Sequence, residues 1–159
     1  MRRRPAGFSL IELLIVVAII LVVTSIALPS FLQARMSANE ASAVSSIHIV
    51  STSEVAYSST YPTVGYSATL SDLGDGGVSP CPATAVAACL LDPSLAGGSK
   101  SGYRFTYVQD NSSVPASGYT INADPLNRGT SGQRSFYSDQ QKITRYNPAG
   151  VATSASPAL

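Results

Sequence analysis

At 159 residues the chain allows one domain; 45% of it is apolar, only 12% is charged, and the formal net charge is +1. Lys100, Arg104, Arg128, Arg134, Lys142 and Arg145 are scattered singly, so the basic patch that nucleic-acid binding needs is missing and no such partner is indicated. The one histidine, His48, is distant in sequence from the two cysteines, Cys81 and Cys89, and these three do not make a zinc ligand set; neither a metal nor a cofactor is expected.

The chain opens on a short basic stretch, Met1-Arg2-Arg3-Arg4-Pro5-Ala6-Gly7, and then turns apolar from Phe8 to Leu28, with Glu12 as its one acid. Those 21 residues are long enough to span a bilayer, and the three arginines favour a cytoplasmic amino end. A carboxylate within such a segment is expensive, so Glu12 is a functional-site candidate whose partner has to be found. Two ordinary readings compete. A secretory signal cut after Ala27 fits the small residues of Ser25-Ile26-Ala27, but its apolar region is normally 7–15 residues and uncharged. A plain membrane anchor accounts for the length and the arginines but not for the Gly7-Phe8 junction or Glu12.

That junction, with Glu12 four residues beyond Phe8, resembles the class III leader of type IV prepilins and type II secretion pseudopilins. The resemblance is specific over residues 1 to about 35 and general beyond. It implies cleavage between Gly7 and Phe8 by a prepilin peptidase at the cytoplasmic face, N-methylation of Phe8, and retention of the apolar segment. It also implies that Glu12 of one subunit neutralises the Phe8 amine of a neighbour as apolar helices bundle. In low dielectric such a pair is strong and an unpaired charge is costly, which favours one axial register. A Glu12 that is neutral or snorkels to the interface is the alternative.

Helical spacing continues past Pro29, with Phe31, Leu32, Ala34, Met36, Ala38, Ala41, Ala43, Val44, Ile47, Val50 and Val55 read as one apolar face. A single helix from Phe8 to about Ser58 would be on the order of 75 Å long at 1.5 Å per residue. Pro29 removes an amide donor and is expected to kink this helix rather than end it. Many members of the family have glycine where this chain has Leu21, which leaves open how far residues 21–29 lose helix in a filament.

Residues 74–101, rich in Gly, Pro, Ala and Ser, read as a connector held by the cysteines. In an exported head, Cys81 and Cys89 read as one disulfide closing a small loop, with two free buried thiols as the alternative. Strand signals then cluster: Tyr103, Phe105 and Tyr107 alternate with polar neighbours, as do Tyr119, Ile121 and Ala123, and residues 135–137 and 142–146 flank a turn. The expected fold class is α+β and pilin-like: a long amino-terminal helix packed on an antiparallel sheet of about four strands. The expected divisions are a leader at 1–7, a transmembrane and polymerisation helix at 8–29, an amphipathic helix of the head at 30–58, a globular head at 59–146 and a flexible tail at 147–159.

Catalysis finds no support: His48 sits alone on a polar helix face, no serine lies in a nucleophile-elbow setting, and the aspartates are dispersed. Asp124 and Asp139 are too sparse for the calcium loop common in major pseudopilins. Asn111-Ser112-Ser113 matches a glycosylation acceptor, a pattern short enough to occur by chance. The expectation is a non-enzymatic subunit of a type IV pilus-like filament, inserted once in the inner membrane and then extracellular. Its partners would be copies of itself, the prepilin peptidase and methyltransferase, the inner-membrane assembly machinery and the membrane. The alternatives are a periplasmic pseudopilin of a secretion system and a secreted binding module released after Ala27.

Overall fold

The computed structural model describes residues 8–159; the expected leader, including Gly7, lies outside the described residues. The chain divides into two units, one ending at Arg35 and the other running Met36–Leu159. Helix α1, Leu10–Thr60, begins in the first and ends in the second.

In the first unit, residues 8–35 are all exposed. The helix carries an 18-residue window with a mean hydropathy of 3.0, none of it buried, and is long and apolar enough to cross a membrane. It runs through Pro29 without ending. Hydroxyls on either side bond back to main-chain carbonyls, Thr24 Oγ1 to Ile20 O at 2.9 Å, Ser25 Oγ to Val22 O at 2.8 Å and Ser30 Oγ to Ala27 O at 2.9 Å. Ser and Thr tolerated this way need no water around them.

In the second unit α1 buries Glu40, Ala43, Ile47, Val50, Glu54 and Tyr57, steps of three and four that put one stripe against the core. This corrects the sequence reading, which ran the apolar face from Phe31 through Ala38, Ala41 and Val55. Those four residues are exposed. The periodic apolar pattern passes without a break from a segment that is apolar all round into one with a single buried stripe, so period alone misplaces the phase.

Five strands form one antiparallel meander in the order β1 Ser99–Lys100, β2 Tyr103–Asp110, β3 Gly118–Pro125, β4 Ser135–Asp139 and β5 Arg145–Asn147. Tyr103, Phe105, Tyr119, Ile121, Ala123 and Phe136 share the core with the helix stripe and with Leu70, Leu73, Leu91 and Leu95. The strand beyond the expected four is β1. It pairs with Lys100 opposite Tyr103 through a turn in which Ser101 and Gly102 have φ of 51° and 74°, the left-handed pair that a two-residue hairpin requires. Two residues are too few to show alternation.

The connector is also more ordered than its composition suggests. A 3-10 turn, Leu70–Leu73, receives Ala88 N at Asp72 O and Leu90 N at Leu73 O, both at 2.8 Å. Pro93–Ala96 forms a one-turn helix, α2, with Asp92 Oδ1 accepting from Leu95 N at 3.1 Å. Residues 147–159, expected as a flexible tail, are tied down. Tyr146 N donates to Pro157 O at 3.0 Å and Leu159 N to Thr144 O at 2.9 Å, while Asn122 Nδ2 donates to Ala152 O at 2.7 Å. These ties run mostly through main-chain atoms and leave no side-chain period to read.

Candidate functional site

Three features of the helix carry candidate chemistry. The first is the amino end. Phe8 is 78% exposed, and Glu12 sits in the first turn of α1 with Oε2 3.1 Å from the Ser9 amide. Ser9 is thus the residue before the helix and Glu12 reaches back to its N–H, one half of a capping box. The signal lies in Ser9-Leu10-Ile11-Glu12, a serine three residues ahead of a glutamate, and a carboxylate so placed can serve its own helix end as well as a partner in another subunit. Among the described residues, the Ser9 amide is Glu12's one hydrogen-bond partner. Leu10, Leu13, Leu14, Val17, Ala18 and Leu21 line one side of the same segment, an unbroken apolar strip.

The second feature is Glu40, where the head begins. Its Oε1 accepts from Gln133 N at 2.8 Å and Arg134 N at 3.1 Å, and its Oε2 from Arg134 Nε at 2.7 Å. Burial alone would raise this carboxyl, but the two amides and the guanidinium outweigh it and hold Glu40 below its ordinary value. Arg134 in turn lies over the rings of Phe136 and Tyr146, 5.6 and 5.7 Å from their centres.

The third is the outward side of α1 in the head. From Met36 to Thr60 every exposed residue of the helix is free of fixed charge: Ser37, Ala38, Ala41, Ser45, His48, Ile49, Thr52, Val55, Ala56, Ser59 and Thr60. Water-facing helices usually carry charged residues there. His48 is exposed with Ser45, Ile49, Thr52 and Ser53 beside it, a set that includes no carboxylate.

Cys81 and Cys89 are joined, with their Cα atoms 6.2 Å apart. Tyr57 of α1 and Tyr61 just beyond its end hold the loop they close: Tyr57 Oη donates to Ala85 O at 2.7 Å and Tyr61 Oη to Ala83 O at 2.9 Å. Asn111 is exposed in the β2–β3 connection. Among the described residues, no three of His, Cys, Asp and Glu come together as a metal site would require.

Residues 2–28 match the family described as the prokaryotic N-terminal methylation motif. No curated protein and no solved structure matches the chain. The matched stretch contains Gly7, Phe8 and Glu12 and ends at Leu28, and it supports a type IV pilin- or pseudopilin-type precursor. Motif and apolar helix together fit membrane insertion and suggest a structural subunit rather than an enzyme.

Proposed function

We propose that the chain is a structural subunit of a type IV pilus-like filament. A prepilin peptidase cuts between Gly7 and Phe8, Phe8 is N-methylated, and the helix over residues 8–29 holds the subunit in the inner membrane until assembly. The carrying observation is that residues 8–35 expose apolar side chains all round and bury none of them, beneath a methylation motif. Each large apolar side chain left in water forgoes roughly 1.5–3 kcal/mol, so this segment needs lipid or other helices around it. The charge-free outer side of α1 extends the same logic into the head, since neighbouring subunits can approach it without desolvating an ion.

In the assembled state Glu12 exchanges, or shares, its Ser9 amide with the Phe8 amine of the next subunit. Cleavage and assembly are therefore coupled: only a processed chain offers that amine. The test is production of the chain with and without a prepilin peptidase, followed by shearing and negative-stain microscopy. Filaments containing the head are expected with the peptidase, and full-length subunit confined to membranes without it. Equal filament yield in both cells overturns the reading.

A further inference from the structure

Glu54 is fully buried on α1, and among the described residues no cation faces it. Its neighbours are Tyr57 on its own helix, Ser67 and Thr69 in the loop that follows, Asp72 in the 3-10 turn, Tyr107 on β2 and Tyr119 on β3. Ser67 N donates to Glu54 Oε2 at 3.1 Å, and Tyr107 Oη donates to Ser67 O at 3.1 Å.

Ser67 Oγ lies 2.5 Å from Glu54 Oε1 and 3.1 Å from Thr69 O. A hydroxyl has one proton, and a carbonyl oxygen can only accept. If Ser67 gives its proton to Thr69, the contact with Glu54 needs a proton from Glu54 itself. An ionised Glu54 leaves one of the two contacts without a hydrogen, whereas the carboxylic acid satisfies both.

We propose that Glu54 is stored as the neutral acid and that its proton locks residues 61–69 onto the helix and sheet, so that losing the proton to solvent releases the lock. Burial, followed by the charge of Asp72, raises the Glu54 carboxyl above its ordinary value of 4.5, although bonds from Ser67 and Tyr107 oppose this. The sign follows. A group whose value is raised in the closed state stabilises that state fully below the ordinary value, and the contribution is lost as pH rises through the raised one. The head is set in acid and loosened by alkali, the reverse of what Glu40 does.

The experiment is hydrogen exchange of the full chain in detergent micelles, read on peptides covering residues 62–72 and corrected for intrinsic chemistry. In the wild type, protection of the Ser67 amide should fall about tenfold per pH unit from 4.5 upward until Glu54 is ionised, then level off. Glu54→Gln, whose amide donates to Ser67 Oγ as the acid does, should show no such slope. A flat wild-type profile, or the same slope in Glu54→Gln, overturns the proposal. Should Glu54→Gln fail to fold, infrared spectra of the wild type decide: a protonated-carboxyl band that persists above pH 4.5 and vanishes in step with Ser67 protection sustains it, and loss of protection without such a band refutes it.

Discussion

The two ends of α1 are made of similar residues and obey different rules. Up to Arg35 the helix buries nothing and its apolar residues point every way; from Met36 onward a single stripe is buried and the opposite side is uncharged. Three glutamates mark the change. Glu12 reaches back to its own helix end, Glu40 is neutralised by Arg134, and Glu54 is buried with no cation beside it among the described residues. Each carboxylate of this helix meets a specific donor, the Ser9 amide at Glu12, Arg134 at Glu40 and the Ser67 amide at Glu54.

Removing Glu12 should have the largest effect. Correctly cleaved Glu12→Ala protein should insert normally, keep a folded head and lose nearly all filament yield, with cleavage followed separately by mass. Normal yield from a cleaved variant would show that Glu12 has no part in assembly.

Glu40→Ala acts on the other side of the boundary. It strips three hydrogen bonds from Gln133 and Arg134, and because Arg134 keeps some contact with water the loss should be about 2–3 kcal/mol of head stability in denaturant melts. A carboxyl held below its ordinary value stabilises above that value and stops doing so as pH falls through the lowered one. The acid side of the stability profile should therefore flatten in Glu40→Gln.

Replacing both Cys81 and Cys89 with serine should cost about 2 kcal/mol on loop-entropy grounds, somewhat less than a bare loop would lose, since Tyr57 and Tyr61 still hold Ala85 and Ala83. Unfolding should stay cooperative; a head that no longer folds would place more weight on the disulfide than the tyrosines allow. The smallest change in the head is expected from Ile49→Lys, within about 0.5 kcal/mol of wild type because the site is exposed. Filament yield should nonetheless fall, as a lysine now stands on the uncharged side. An unchanged yield would detach that side from assembly.

Much of this was legible in the sequence because it is periodic or local. The long helix shows in its apolar spacing, the methylation motif in the stretch that holds Gly7, Phe8 and Glu12, and the two long strands in their alternating aromatics. Glu40 and Glu54 were not legible, for charged residues on a helix read as its wet side. Their partners lie far along the chain, Arg134 at 94 residues and Ser67 at 13. Strand β1 escaped for its brevity, and residues 147–159 because Asn122, Thr144 and Tyr146 hold them chiefly by main-chain bonds that leave no side-chain signature.

The intact mass and first residue of the protein recovered from sheared filaments or membranes decide whether the chain is cut between Gly7 and Phe8. A mature chain beginning at Phe8 and heavier by one methyl group is the predicted result. A chain beginning at Leu28, or one that keeps Met1 through Gly7 in assembled material, would contradict it.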